Sequence, residues 1–518
     1  MGMKLTILHE SGTYTLPARP GQSVLDAIRT HGGLPVHAPC GGQGTCGKCT
    51  VLLVGDGGET PVLACRTAAE EGMTVRLPSA APLAVKTSAE EDAAPTPTDG
   101  ECGLGVACDI GTTTVVCHLV DLATGKTLAT VGEGNAQRPY GGDVISRIKA
   151  SMEGCRPALT AAITGQLDRM IRALCASAGA DVGEVRRMAV AANTTMCHLL
   201  AGLAPDGMGA APFTPLSLFG EDYEARALGL PFDGPVYLAP AVSGYVGGDI
   251  TADLLAVDLD RAEKPVLLID VGTNGEMALG CGDRFVCCST AAGPAFEGAQ
   301  ISCGMTAAPG AISSVEYREG QLVCPVIGGG EGTGLCGSGL IDAVAVMLDL
   351  GALDETGRMM DVEEDEGDIP DAALPYLFLT EEEEPAFRLA EGVWITQSDV
   401  RKLQLGKGAI AAGARVLMDE CGLTCKDIGG LLLAGGFGSY IRPESAARIG
   451  LIPAPLLPVT RAVGNTAALG ARMALVSREG RQRLDALQKN MEYRELSGLA
   501  AFNTAYMEAM MFPEEDDL

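Results

Sequence analysis

Several things are scarce in this chain, and each scarcity removes a class of function. Only 37 Lys and Arg stand against 66 Asp and Glu, a net charge of −29 over 518 residues. Such a surface repels phosphate backbones, so no nucleic-acid partner is expected. No long apolar run occurs; the longest uncharged one, Met188 to Pro205, is broken by Asn193, Thr194, Thr195 and His198. A membrane span is therefore not expected. The opening MGMKLTILHE has neither a cationic start with an apolar core nor a cleavage site, which points to a reducing cytoplasm rather than secretion. The five histidines form no cluster and no metal-ligand spacing, and the P-loop pattern GxxxxGK[ST] is missing. Aromatic residues make up 4% while glycine reaches 69, so many turns and close backbone approaches are expected.

What is present excludes disorder: 47% of residues are apolar and 20% charged. The length suits about three structural units. Of 18 cysteines, four fall between Cys40 and Cys65; the rest are scattered from Cys102 to Cys425 and read as small buried hydrophobes.

Residues 1–79 form one compositional unit. Lys4–His9 and Thr13–Leu16 read as strands, Val24–His31 as a helix capped by Ser23 and stopped by Gly32-Gly33, and Thr50–Val54 as the first arm of a hairpin returning to Cys65. Between them lies Cys40-Gly-Gly-Gln-Gly-Thr-Cys46-Gly-Lys-Cys49, which gives the spacing C-x5-C-x2-C-x15-C. Three thiolates on one loop and a fourth brought back by a hairpin suit a 2Fe-2S cluster. The interspersed glycines let backbone N–H groups face the sulfides. A zinc site is the alternative, although zinc sites usually pair two short cysteine hairpins. Residues 80–103, rich in Pro, Ala and acid, read as a flexible linker that lets the head swing between docking sites.

The body, 104–518, opens with a strand running into Asp109-Ile-Gly111-Thr112-Thr113-Thr114 and a second strand. The same grammar returns at Asp270-Val-Gly272-Thr273-Asn274-Gly-Glu276, which implies an internal repeat and two lobes of approximately 104–260 and 261–518. An Asp at a strand end can hold Mg2+, directly or through water. Glycine admits a phosphate close to the backbone, and hydroxyls and turn N–H groups bond its oxygens. Leu431–Gly438 reads as a buried strand ending in a glycine turn, and Gly464-Asn465-Thr466 opens a later helix. Gly435, Gly436, Gly438, Gly464 and Asn465 thus form a candidate adenosine pocket. Asp249 and Glu297, each beside glycine turns, are candidates to orient a water toward the γ-phosphate; a structural carboxylate is an equal alternative for either. Gly332–Gly337 matches GxGxxG without the context that would make it a dinucleotide site. The acidic stretch Asp361–Asp371 reads as a solvated excursion, and Thr396–Met418 as an amphipathic helix.

With the cysteine loop ahead of the Asp109 and Asp270 hairpins and Leu431–Gly438, nearly the whole chain resembles the ATP-dependent reductive activators of corrinoid enzymes. The resemblance extends to Asn193-Thr-Thr-Met196, Gly293–Gly298, Cys336-Gly-Ser-Gly339 and Thr396–Ile410. It implies an N-terminal α+β, β-grasp ferredoxin domain, then an α/β, ribonuclease-H-like two-lobed ATPase body of the acetate/sugar kinase, Hsp70 and actin superfamily. It further implies that Cys40, Cys46, Cys49 and Cys65 hold the cluster and that Asp109, Thr112, Asp270, Thr273, Gly435 and Gly436 contact Mg-ATP. The implied activity is one-electron reduction of a partner corrinoid protein from Co(II) to Co(I), fed by an upstream low-potential electron donor; a homodimer is compatible. Two departures stand out. Only about 25 residues separate head and body, so an extra module carried there by some relatives is not expected, and no cysteine follows Cys425, against a C-terminal iron–sulfur motif. A small-molecule kinase with a regulatory cluster and a nucleotide-gated redox sensor are the rival readings.

Overall fold

The computed structural model describes residues 3–9, 12–31, 34, 36, 38, 42, 44, 48–55, 58–78, 97–281, 284–438 and 440–514. They divide into two compact units. The first holds the described residues within Met1–Ala81, Pro95–Asp249 and Ala471–Leu484; the second holds those within Ile250–Gly470 and Asp485–Leu518.

In the head, strands β1 (Met3–His9), β2 (Gly12–Ala18), β3 (Thr50–Gly55), β4 (Gly58–Leu63) and β5 (Thr74–Arg76) order as β2-β1-β5-β3-β4, with β1 and β5 parallel. Side chains alternate across β1, so Leu5 and Ile7 point into the core and their neighbours outward. Helix α1 (Val24–His31) lays Val24, Leu25, Ala27 and Ile28 against that core. Its expected cap is present: the Asp26 N–H donates to Ser23 Oγ at 3.1 Å, and the Ser23 hydroxyl donates to Asp26 at 2.8 Å. Gly32 and Gly33, expected to stop it, lie outside the described residues.

The rest of the first unit is built on β6 (Leu104–Ile110), β7 (Thr114–Asp121), β8 (Thr127–Gly134), β9 (Val185–Ala192), β10 (Glu221–Glu224) and β11 (Pro235–Leu238), ordered β10-β11-β9-β6-β7-β8. Helix α2 is Val144–Ala150, α3 is Arg156–Ala178 and α4 is Thr194–Leu200. Ile163, Leu167, Met170 and Ile171 of α3 share a core with Val106, Cys108, Val115 and Cys117 of the sheet. Burial pushes the Cys108 and Cys197 thiols well up, as expected of cysteines used for packing; Cys102, by contrast, is exposed. Residues 97–103, which composition assigns to the linker, are pinned. The Asp99 N–H donates to Val476 O at 3.0 Å, and its carboxylate accepts from the Arg478 N–H at 3.0 Å.

The second unit repeats the plan. Helix α5 is Gly248–Ala256, and the strands are β12 (Val266–Val271), β13 (Gly275–Cys281), β14 (Arg284–Thr290), β15 (Gly430–Ala434), β16 (Thr460–Gly464) and β17 (Met491–Tyr493), ordered β16-β15-β12-β13-β14-β17. In each body sheet an antiparallel three-strand meander (β6-β7-β8 or β12-β13-β14) is extended by two parallel strands (β9 and β11, or β15 and β16). The repeat read from the Asp109 and Asp270 motifs is therefore a repeat of whole sheets. Helices α6 (Gly337–Asp349) and α7 (Gln397–Glu420) contribute to the core, and Thr396 caps α7 by accepting from the Asp399 N–H at 3.3 Å. The remaining helices are α8 (Gly435–Gly438), α9 (Pro443–Arg448), α10 (Thr466–Val476), α11 (Arg478–Lys489) and α12 (Ala500–Ala509). In the acidic stretch, Asp365 pairs with Arg358 at 2.9 Å within a run of turns. Among the described residues no helix is long and apolar enough to cross a membrane.

Candidate functional site

The cluster loop is shaped by the end of the β3–β4 hairpin. Ala64 donates its N–H to Cys49 O at 2.9 Å and accepts from the Leu25 N–H at 3.0 Å, so the cysteine strand and α1 share one anchor. Cys49 Sγ and Cys65 Sγ lie 3.2 Å apart. Convergence of two cysteine sulfurs from the two arms of a hairpin is what a shared metal group requires. Cys40 and Cys46 lie outside the described residues. Of the loop glycines, Gly44 is held at φ +78°, and a Cβ there would fall 2.6 Å from Arg66 Nε, whose Nη2 donates to Gly44 O at 2.7 Å. The loop therefore needs glycine for conformation and for space. Among the described residues no group of three or more His, Cys, Asp or Glu converges on a metal-sized point. The pair Cys49 and Cys65 is half of the expected set.

In the first unit Asp109 sits one residue from the end of β6, opposite Val116 of β7 and Ala191 of β9. Gly111, Thr112 and Thr113 make the turn, and every backbone oxygen in it is used. Asn135 Nδ2 donates to Gly111 O at 2.8 Å, the Asn135 N–H donates to Thr113 O at 2.8 Å, and Arg147 Nη2 donates to Thr112 O. Arg147 is fully buried and also donates to Gly141 O at 3.0 Å and Gln137 Oε1 at 3.3 Å. These bonds fix the turn through its carbonyl oxygens. Asn193, at the end of β9, caps α4 by accepting from the Met196 N–H at 3.0 Å and gives Nδ2 to the Thr112 hydroxyl at 3.1 Å. Asp249 stands beside it: a Cβ on Gly247 would meet Asp249 Oδ1 at 2.7 Å and Asn193 Cα at 2.4 Å. The structure thus gathers Asp109, Thr112, Asn193 and Asp249 at the carboxyl ends of parallel strands, the usual place for a ligand in such sheets. Asn193 was legible only as a member of a resembling stretch; an Asn ahead of Thr-Thr is a helix-cap signal, and the cap is what places it.

In the second unit Asp270 lies opposite Glu276 of β13 and Ala434 of β15. The Gly272 N–H donates to Asn274 O at 2.9 Å to close the turn. The Thr273 hydroxyl donates to the Glu297 carboxylate, and both side chains are buried. Glu297 is carried by a single helical turn, Pro294–Glu297, with Gly293 at φ +79° before it and Gly298 at φ +69° after it. Gly435 has φ +91°, and a Cβ there would stand 2.1 Å from Asp270 Oδ1 and 2.9 Å from Val271 O. Gly436 is exposed with open space around it, and a Cβ on Gly438 would lie 3.1 Å from Leu433 O. Ala434 pairs with Gly464 across the sheet, and Asn465 caps α10 by accepting from the Ala468 N–H at 3.0 Å. The two glycine-bearing segments expected to form an adenosine pocket are therefore neighbouring strand ends. Asp253, which accepts from the Thr466 hydroxyl at 2.6 Å and is buried beside that helix start, carried no sequence signal.

The residues fit a magnesium nucleotide: each unit offers a carboxylate at a strand end beside a glycine turn that carries hydroxyls, and Gly435 leaves a cradle that any side chain would fill. They fit a 2Fe-2S cluster through the converging thiols.

Comparison with known proteins follows the same division. Residues 8–70 match a 2Fe-2S iron-sulfur cluster binding domain, 104–262 the RACo middle region, and 264–518 the C-terminal domain of RACo, the ASKHA domain. The corrinoid activation enzyme RamQ of Eubacterium limosum is 36% identical over 422 residues, 79% of this chain and 70% of that protein. A [Co(II) methylated amine-specific corrinoid protein] reductase of Methanosarcina barkeri is 28% identical over 71% of this chain and 69% of its own length. A solved reductive activator for a corrinoid, iron-sulfur protein superposes with a TM-score of 0.72 at 28% identity, covering 98% of both chains. The head is a two-iron ferredoxin-type domain and the body has the fold of actin, Hsp70 and sugar kinases; the chain belongs to the family of reductive activators of corrinoid proteins.

Proposed function

We propose that the chain reduces the Co(II) form of a partner corrinoid protein to Co(I), one electron at a time, and couples that uphill step to Mg-ATP at the body. The reading is carried by one observation: a ferredoxin-type head precedes two sheets that share the same order of five strands, each with an Asp–Gly–Thr hairpin at the same strand end.

Energetics explain why both parts are needed. Plant-type two-iron centres sit near about −400 mV, and Co(II)/Co(I) couples lie lower. Each 59 mV is about a factor of ten for one electron, so a gap of ~100 mV leaves little Co(I) without a second source of free energy. Cys40, Cys46, Cys49 and Cys65 hold the cluster, which supplies the single electron. Asp109 and Asp270 bind the Mg2+, directly or through water. Gly111, Thr112, Thr113, Gly272, Thr273 and Asn274 present N–H and hydroxyl donors to the phosphates. Gly435, Gly436, Gly438, Gly464 and Asn465 receive the adenosine. Glu297, oriented by the Thr273 hydroxyl, is the better-supported candidate to take a proton from the attacking water; Asp249, beside Asn193, is the other. Nucleotide state selects between conformations of the body that differ in affinity for the corrinoid partner, and that difference supplies the drive. An upstream low-potential donor refills the head.

The test mixes reduced protein with a Co(II) corrinoid protein, with and without Mg-ATP, and follows the Co(I) absorption. ATP-dependent Co(I) is expected from the wild type. Asp270→Ala should keep the cluster's visible spectrum and lose that dependence. Equal Co(I) yields with and without ATP would remove the coupling from the proposal.

A further inference from the structure

Arg29 lies where the iron–sulfur head meets the rest of the first unit. Carried on α1, it donates from Nε to Pro139 O at 2.5 Å and pairs through Nη1 with Asp26 at 3.2 Å. Its own carbonyl accepts from the Tyr140 hydroxyl at 2.8 Å. One nitrogen is left over: Nη2 is buried and has no hydrogen-bond partner among the described residues. A cationic N–H left unmatched in the interior is costly, which points to an acceptor that the described residues alone do not supply.

Gly42, inside the cysteine loop, lies beside that guanidinium. A Cβ built on it would lie 3.4 Å from Arg29 Nη1 and 3.5 Å from Nη2. Gly42 is held at φ +90°, and the position a side chain would take faces the guanidinium. A two-iron cluster on four thiolates is anionic, and becomes more so on reduction. A cation beside its loop favours the reduced form, more strongly where water is kept away.

The other side of the contact leads to the phosphate turn. Pro139 and Tyr140 belong to the short helical turn Arg138–Tyr140, and the next carbonyl, Gly141 O, accepts from Arg147 Nε at 3.0 Å. The same Arg147 donates to Thr112 O in the first hairpin. The segment against which the head rests is thus braced by the side chain that braces the hairpin.

We propose that Arg29 is a positioning residue that rests the iron–sulfur head against Pro139 and Tyr140 and presents a positive charge to the cluster loop, so that the cluster is easier to reduce than it would be without that charge. This rests on the reading that Cys40, Cys46, Cys49 and Cys65 hold the cluster.

The test is a potentiometric titration of the full chain after iron–sulfide reconstitution, followed by the electron paramagnetic resonance of the reduced cluster, with hydrogen exchange at residues 138–141 as a measure of docking. Arg29→Gln should shift the one-electron equilibrium toward the oxidised form by about threefold to tenfold, which is about 30–60 mV, and raise exchange at 138–141. Arg29→Lys keeps the charge without the guanidinium fork, so its midpoint should stay near wild type while exchange rises. Tyr140→Phe removes the bond to Arg29 O and should raise exchange while the midpoint, set by the retained Arg29 charge, stays near wild type. A midpoint for Arg29→Gln equal to wild type overturns the proposal whatever happens to docking, and unchanged exchange in both Arg29 variants overturns the resting position. Failure of the wild type to take up a cluster would instead count against the cysteine assignment, and is visible before any potential is measured.

Discussion

A side chain at Gly435 would put its Cβ 2.1 Å from Oδ1 of Asp270, so the strand end that carries the carboxylate and the glycine turn that follows β15 are built as one object. The contact follows from register: Asp270 pairs with Ala434, and the next residue must turn away with φ +91°.

Gly435→Ala is therefore expected to cost about 3–5 kcal/mol, since the added atom meets a carboxylate and a backbone oxygen in a backbone region closed to alanine. Gly436→Ala is the informative control. That position has open space, and alanine in a helix is favoured over glycine by about 1 kcal/mol. Its melting temperature should hold or rise while Mg-ATP affinity falls at least tenfold. Unchanged affinity would move the adenosine elsewhere.

Glu297→Gln keeps an oxygen to accept the Thr273 hydroxyl, so the fold and nucleotide binding should be preserved. If Glu297 handles the proton of the attacking water, hydrolysis falls by about 10²–10⁴. Steady-state ATPase assays beside calorimetric ATP binding separate the two. A normal turnover rate would leave Glu297 a structural carboxylate and turn attention to Asp249.

Asn193→Asp preserves the cap on α4, because a carboxylate accepts from the Met196 N–H as well as an amide does. It replaces the donor to the Thr112 hydroxyl with an acceptor and adds a negative charge beside Asp249. Stability should change by under ~1 kcal/mol while Mg-ATP affinity drops tenfold or more. Asn193→Ala should also lose the cap, about 1 kcal/mol. Equal affinities for Asn193→Asp and wild type would show that this corner does not face phosphate.

His118 is 2% exposed, with Nδ1 beside Thr130 Oγ1 at 2.9 Å. Burial, aided by the nearby Arg472 cation, lowers its pKa from 6.5 to about 4. Between those values the unfolded chain binds the proton and the folded one does not. Its stability contribution is thus present above pH 6.5 and is lost as the pH falls toward 4. His118→Gln should flatten the dependence of melting temperature on pH across that window. Parallel curves for variant and wild type would contradict it.

Much of the local architecture was readable because its causes act over a few residues. Ser23 marks a helix start, the apolar periodicity after Thr396 marks another helix, and a diglycine after Leu431–Ala434 ends a strand. The cysteine spacing and the doubled Asp–Gly–Thr turn carry their chemistry in the same short-range way, through loop reach and hydroxyl placement.

What no window of sequence could decide is which distant segments meet. The contacts of Asn193 with Thr112, 81 positions apart, and of Arg29 with Pro139, 110 apart, depend on strand order and on closing long loops. Ala471–Leu484 joins the first unit although it follows most of the second in the chain. Its hold there is tertiary: Arg481 pairs with Asp222 at 3.0 Å and stacks on Tyr237 at 4.5 Å, while Leu475 fills the space left by Gly105. Sequence by itself determined the kinds of element and the chemistry at their ends. Packing alone chose their neighbours, because burial is scored by whatever surface is complementary, however far away it lies in the chain.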